Sequence, residues 1–252
     1  MPVVHRCDDI HLCDDVEVRD EGEGARMIDR DPNVGLALTG VDLPAWLRPV
    51  ADAAGGVRGS DLTRFLPPPT GGRPSAVLML LGEGAQGPDL LLIERAHDMR
   101  SHAGQPAFPG GALESGDTGP IAAALREAHE ETALDPAGVE PFAMLPDLWV
   151  PVSDFVVTPV LAWWRDPSPV RVADPTEVAS VHRVPIEQLV DPARRMRVRH
   201  PSGYVGLGFD VAGLLVWGFT AGLISGLLDL AGWSRPWDPD RIVDLSPDAD
   251  LT

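Results

Sequence analysis

Between Gly110 and Glu131 the chain reads Gly-Gly-Ala-Leu-Glu-Ser-Gly-Asp-Thr-Gly-Pro-Ile-Ala-Ala-Ala-Leu-Arg-Glu-Ala-His-Glu-Glu, and no other stretch constrains the fold as much. A helix is expected from about Gly119 to Ala133, with Pro120 near its first turn and Asp135-Pro136 stopping it. On it Glu127, Glu130 and Glu131 stand at i, i+3 and i+4, which puts their β-carbons roughly 5–6 Å apart on one face. Three like charges there destabilise a bare helix, and an acidic helix face is ordinarily just solvated. This helix, however, has a thin apolar back of Ala123, Ala124, Leu125 and Ala128 that asks to be buried. Clustered carboxylates on a buried helix, directly after a Gly-Gly turn, suit hard divalent cations such as Mg2+ or Mn2+. Arg126 can reach back to an upstream acid and hold the loop in register.

Charge points the same way. The 252 residues carry 20 basic and 38 acidic side chains, a formal net charge of -18, and every basic residue is arginine. Such a chain is a poor partner for nucleic acid or an anionic membrane, both polyanions. An anionic substrate would need cations between it and the protein. Hydrophobic residues make up 44% and the mean hydropathy is -0.01, so a folded core is expected.

Residues 1–35 are net -6 and residues 236–252 net -4, so the ends hold -10 of the -18. They read as flexible acidic tails, with a leader over 1–40, a short helical lead-in and Pro/Gly linker over 41–71, the main domain over 72–235 and a tail over 236–252. His5, Cys7, His11 and Cys13 match no common zinc spacing and are read as leader. Hydrophobic patterning begins only after Met27, which makes Met27 an alternative translation start. Two cysteines and the lack of a signal-peptide plan at Met1 lead to the expectation of a reducing, cytoplasmic setting. Val211 to Leu228 holds 18 uncharged residues, yet Gly213, Gly218, Gly222 and Gly226 interrupt it. A strand end running into a buried C-terminal helix, Trp217 to Leu230, explains it better than a membrane span.

A helix capped by Asp42 is expected over 43–53, strands over 76–81 and 90–95 around a turn at 82–88, and a short strand at 107–108. Further strands are expected over 155–164 and 178–184, a short helix over 186–190, and a hairpin around Pro201-Ser-Gly203. The mixture without strict alternation argues for an α/β fold on a mixed sheet.

The Gly110–Leu134 stretch resembles the box of the Nudix hydrolases: Gly, five residues, Glu, seven residues, then Arg-Glu-aliphatic-x-Glu-Glu-x-Gly-aliphatic. Gly111, Arg126, Glu127, Glu130, Glu131 and Leu134 match. Asp117 replaces the first Glu, the gap to Arg126 is one residue longer, and Ala133 replaces the late Gly. The segment Leu91 to Gly111 is similar to the one preceding the box in coenzyme A pyrophosphatases, with Arg95, Arg100, His102, Gly104 and Phe108 in agreement. Ala96, Met99 and Pro106 depart from that pattern. Val157-Thr-Pro-Val, Pro175-Thr-Glu-Val and Val216-Trp-Gly-Phe-Thr-Ala are similar too, so the resemblance spans about residues 72–232.

The resemblance implies a Nudix fold, an α/β/α sandwich around a mixed β-sheet. It implies Mg2+ or Mn2+ held at Gly111, Glu127, Glu130 and Glu131, with Arg126 as their neighbour in the catalytic set. It implies coenzyme A or an acyl derivative as substrate, cleaved to adenosine 3′,5′-bisphosphate and the 4′-phosphopantetheine portion. Arg95, Arg100 and His102 would meet its phosphates, with Gly104 and Phe108 in the same binding loop; two ordinary surface arginines are the plainer reading. Glu177 is left between ligand or base and a solvated side chain. Other nucleoside diphosphate derivatives (NADH, ADP-ribose), nucleoside triphosphates, and a catalytically silent nucleotide-binding domain are the alternatives. The fold family also allows a homodimer.

Overall fold

The long apolar run after the Pro/Gly linker becomes the central strand of a mixed sheet. The computed structural model describes residues 30–63, 65–68, 70–97 and 103–245. In chain order the described elements begin with β1 (Leu36–Ala37), α1 (Arg48–Ala54), α2 (Gly59–Leu62), β2 (Arg73–Gly84), β3 (Gly87–Arg95), β4 (Pro106–Ala107) and β5 (Gly110–Ala112). Then come α3 (Pro120–Thr132), β6 (Val139–Met144), β7 (Leu148–Val150), β8 (Phe155–Trp164), β9 (Val178–Pro185) and α4 (Ile186–Val190). The chain continues through β10 (Arg195–Arg199), β11 (Val205–Val211), β12 (Leu214–Trp217), α5 (Gly218–Leu230) and β13 (Ile242–Asp244).

The main sheet runs β1-β6-β8-β2-β3-β4, with β5 also on β2, β7 on β8 and β9 on β3. Its axis is the parallel pair β2/β8, from Arg73 opposite Phe155 to Leu81 opposite Trp163. Because β2 is buried on both sides, its side chains serve two cores. Ala76, Leu78 and Leu80 meet Ala123, Ala124 and Ala128 of α3 on one face. Met79 and Leu81 join Val50 of α1 and Leu223, Ile224 and Leu227 of α5 on the other. These are the layers of an α/β/α sandwich.

A second, four-stranded sheet, β12-β11-β10-β13, extends the α5 side. The uncharged Val211–Leu228 stretch is divided between the end of β11, a turn at Ala212-Gly213, β12 and α5. No helix among the described residues is long and apolar enough to cross a membrane.

Several boundaries need correction. Gly84 pairs with Gly87, so the first hairpin turn is only Ala85-Gln86 and the strands run into the region read as turn. Asp42 does not cap the first helix: α1 opens at Arg48 with Pro49 in its first turn and no side-chain cap, a place that suits a residue without an N–H. The leader drawn over 1–40 does not hold for its last eleven residues. Arg30 pairs with Asp147 and donates to Thr158 Oγ1 at 3.0 Å, Gly35 N donates to Val57 O at 2.8 Å, and β1 pairs with β6. Likewise β13 lies parallel to β10, and Asp244 meets Arg199 at 2.8 Å, so the acidic tail is structured as far as this strand. Sheet edges recruit such segments through backbone hydrogen bonds, which leave little hydrophobic periodicity to read. The lead-in over 41–71 is part of the core as well, since Leu47, Val50 and Ala54 are fully buried in it. Met27 and the His5–Cys13 cluster lie outside the described residues.

The exit of α3 carries one local cost. Ala133, where the Nudix pattern has Gly, is left-handed (φ 54°) and donates its N–H to His129 O at 2.9 Å. A β-carbon is disfavoured in that conformation. Ala133→Gly is therefore expected to stabilise the protein by about 0.5–1 kcal/mol, Gly's greater freedom in the unfolded chain offsetting part of the gain. Chemical denaturation checks this; a midpoint that falls would show that the cap tolerates its β-carbon.

Candidate active site

The alanine back of α3 lets the helix lie close on β2, and this sets its polar side beside the Gly110-Gly111 turn. Close approach to backbone requires glycine at Gly110, whereas Gly111 lies against the movable carboxylate of Glu127. A β-carbon on Gly110 would stand 2.3 Å from Ala76 O, and one on Gly111 would stand 2.3 Å from Glu127 Oε1. The turn is thus clamped between sheet and carboxylate.

Arg126 is the hub. Its Nε donates to Asp117 Oδ1 at 3.1 Å and its Nη2 to Asp117 Oδ2 at 3.0 Å, a forked contact. Nη2 also donates to Ala112 O at 3.1 Å, while Nη1 donates to Glu127 Oε1 and Glu130 Oε2, each at 3.0 Å. Asp117 further accepts from Glu114 N at 2.8 Å, so the shorter acid on a longer loop still reaches the arginine. The guanidinium holds the Asp117 carboxyl below its usual pKa.

The three box carboxylates occupy different environments. Glu130 is exposed and leans on Arg126. Glu127 is nearly buried, and desolvation pushes its pKa up although Arg126 opposes this. Glu131 is buried, 2% exposed, and accepts from Gly110 N at 2.9 Å. Burial pushes Glu131 up to about 8, against the Gly110 amide and the Arg95 cation; the fields of Glu127 and Glu177 add to the rise. Among the described residues no group of three or more His, Cys, Asp or Glu side chains is arranged to hold a metal ion as it stands. Packing divides the three: Arg126 draws Glu127 and Glu130 to itself, and Glu131 turns inward. Oxygen-only donors whose ionisation is suppressed by burial are nonetheless the chemistry that a hard divalent cation relieves.

Glu177 comes from the loop before β9, whose backbone is pinned to the end of β3 by Ala96 N donating to Glu177 O at 2.9 Å. It lines one cavity of about 930 Å3 together with Arg95, Gly111, Glu127 and Phe108. The buried Nε of Arg95 has no hydrogen-bond partner among the described residues. Gly104 is instead a turn residue (φ 66°): its N–H donates to Arg95 O at 3.2 Å, and a β-carbon there would meet the His97 ring at 2.7 Å. It positions the loop and does not line the cavity. Arg100 and His102 lie outside the described residues.

The reading of sequence missed the remaining wall of the cavity, which includes Phe65, Trp149, Val152, Tyr204, Trp217 and Phe219. The Val216-Trp-Gly-Phe run was a usable signal, but nothing local says that it faces the carboxylates.

Residues 72–204 match the family model described as NUDIX domain. The chain belongs to the Nudix family. It is 43% identical over 159 residues to the uncharacterized Nudix hydrolase NudL of Enterobacter sp. (strain 638), covering 60% of this chain and 79% of the relative. The NudL of Escherichia coli (strain K12) is 40% identical over 156 residues, with the same coverage. Among solved structures, RenU, a Nudix hydrolase from M. smegmatis, aligns over 67% of this chain and 91% of its own at 20% identity, with a TM-score of 0.44.

Proposed function

We propose that the protein hydrolyses the pyrophosphate bond of coenzyme A or an acyl derivative, giving adenosine 3′,5′-bisphosphate and the (acyl-)4′-phosphopantetheine portion. The observation that carries this reading is Arg95, a partly buried cation with an unpartnered Nε on the same cavity as Glu127 and Glu177. In a chain of net charge -18, an arginine whose buried Nε is left without a hydrogen-bond partner is a place for a phosphate.

Glu127, Glu130 and Glu131 would hold Mg2+ or Mn2+ at the Gly111 turn, Glu127 and Glu130 exchanging Arg126 for the cation. Bound metal supplies charge neutralisation at the pyrophosphate and a lower pKa for the attacking water. Arg126 then keeps Asp117 and the Ala112 carbonyl, so the turn stays in place. Arg95 binds a phosphate oxygen and orients the scissile bond. Glu177 accepts the proton from water as oxygen attacks phosphorus and the bridging P–O bond breaks. Its carboxylate makes no hydrogen bond or ion pair among the described residues.

A panel of coenzyme A, NADH, ADP-ribose and nucleoside triphosphates, incubated with Mg2+ or Mn2+ and resolved by chromatography, tests the reading. Cleavage of NADH or ADP-ribose with coenzyme A untouched would overturn the substrate while sparing the metal chemistry. No turnover of any of them would favour a silent binding domain. Arg95→Ala is expected to lower kcat/KM for coenzyme A and dephospho-coenzyme A alike, by roughly tenfold to a hundredfold or more, the usual loss for a charged hydrogen bond. Arg100→Ala is expected to penalise coenzyme A more than dephospho-coenzyme A, because only the former carries the 3′-phosphate. Equal losses in Arg100→Ala would refute that assignment.

A further inference from the structure

One hairpin supplies a continuous stretch of the cavity wall. Every residue from Leu148 to Phe155 except Asp154 lines the cavity, through β7, the turn and the start of β8. β8 is anchored by its long parallel pairing with β2, whereas β7 pairs with β8 alone, through Leu148, Trp149 and Val150 opposite Val157, Val156 and Phe155. So short a ladder is weak by itself. Val152 in the turn is 57% exposed, so little packing steadies the tip. The hold on β7 must come from its base.

That base is tied by a buried knot. Asp147 and Thr158 stand next to the last rung, and Thr158 Oγ1 donates to Asp147 Oδ1 at 2.6 Å. Arg30 Nη2 donates to Thr158 Oγ1 at 3.0 Å and also to Asp147 Oδ1. The Arg30 and Asp147 side chains are only 10% and 15% exposed. Asp147 N further donates to Pro32 O at 2.8 Å, so the same stretch of chain holds backbone and side chain together. Charge-assisted bonds screened so little by water are strong, and removing one partner leaves the other charge stranded. Arg30 and Pro32 lie well before residues 72–204, so this brace comes from outside the matched domain.

We propose that Arg30 is a positioning residue for substrate: through Asp147 and Thr158 it sets β7, and with it the wall against which the nucleotide lies. The proposal rests on the reading of this cavity as the substrate site, and it holds for whichever nucleotide that site takes. Arg30 takes part in no step of the hydrolysis, and the box keeps a brace of its own in Arg126. Loss of the knot therefore acts on binding. A hairpin in place one time in ten raises KM about tenfold and leaves kcat of the bound complex nearly unchanged.

The test measures kcat and KM of the full chain for coenzyme A and for ADP-ribose with Mg2+, alongside Tm. Arg30→Ala is expected to raise KM about tenfold for the nucleotide that is cleaved, with kcat within about threefold of wild type. Arg30→Lys keeps a cation for Asp147 and is expected to bring KM back to within about threefold of wild type. A purely structural arginine would lower Tm and the folded fraction, which scales kcat and leaves KM alone. That pattern, or a wild-type KM in Arg30→Ala, would overturn the inference. Should Arg30→Ala not fold, Arg30→Met combined with Asp147→Asn leaves no buried charge stranded; a raised KM is expected there too, and a wild-type KM would overturn the inference. Wild type that cleaves ADP-ribose and ignores coenzyme A would overturn the coenzyme A reading alone, with the effect of Arg30 read on ADP-ribose. Wild type that neither cleaves nor, by calorimetry, binds either nucleotide would overturn both.

Discussion

Glu131→Gln is expected to lower kcat by at least about a hundredfold at saturating Mg2+ while leaving the fold intact. Amide and carboxylate are nearly isosteric, and the glutamine oxygen can still accept from Gly110 N, the contact that Glu131 makes at 2.9 Å. What is lost is the charge a hard cation requires. Retention of more than about a tenth of wild-type kcat would remove Glu131 from the metal centre. Stability supplies an independent readout in EDTA. The folded-state pKa of Glu131, about 8, lies above its ordinary value of 4.5. The folded wild type therefore holds this proton more tightly than the unfolded chain does, and it loses stability as pH rises from about 4.5 to 8. Gln cannot ionise. Melting of the variant is thus expected at or above the wild-type temperature at pH 8–9, with the advantage vanishing near pH 4.5. A variant that melts lower at every pH would show that the buried carboxylate is needed by the fold itself.

Arg126→Lys is the second large effect. Lysine retains the charge but not the fork, so it cannot serve both Asp117 oxygens, the Ala112 carbonyl and two glutamates at once. With Asp117 nearly buried, its carboxylate is left short of partners. We expect a loss of about 2 kcal/mol, or roughly 4–8 °C in Tm, together with about a tenfold fall in kcat as the Gly110-Gly111 turn loosens. Asp117 is held below its usual pKa of 3.8, so its pairing contributes stability above that value and loses it as acid titrates the folded carboxyl. The gap between wild type and Arg126→Lys should accordingly narrow in strong acid. Unchanged Tm with only KM raised would instead make Arg126 a substrate contact.

The local elements of this protein were legible because each is written within one turn or one strand. Pro120 and Asp135-Pro136 bracket α3, the apolar runs mark β2, β3 and β8, and Ile186–Val190 is helical as its spacing predicts. The identity of the box was legible for the same reason: Arg126, Glu127, Glu130 and Glu131 lie within two turns of one helix. Even the compensation between a shorter acid and a longer loop could be anticipated, and the Asp117–Arg126 fork realises it.

Tertiary structure decided everything that depends on which surfaces meet. Spacing treats Glu127, Glu130 and Glu131 as equals; packing of α3 on β2 buries Glu131 and leaves Glu130 in water, so one carboxylate titrates near 8 and another rests on Arg126. Only burial could separate them, because a pKa responds to desolvation and neighbouring charge and not to residue type. The two-residue edge strand β1 and β13, set in acidic sequence, were hidden because backbone pairing asks little of the side chains. The wall of the cavity joins Phe65, Val152, Tyr204 and Phe219 across more than half the chain. No periodicity connects positions so far apart, and only the closing of the second sheet and α5 over the main sheet brings them together.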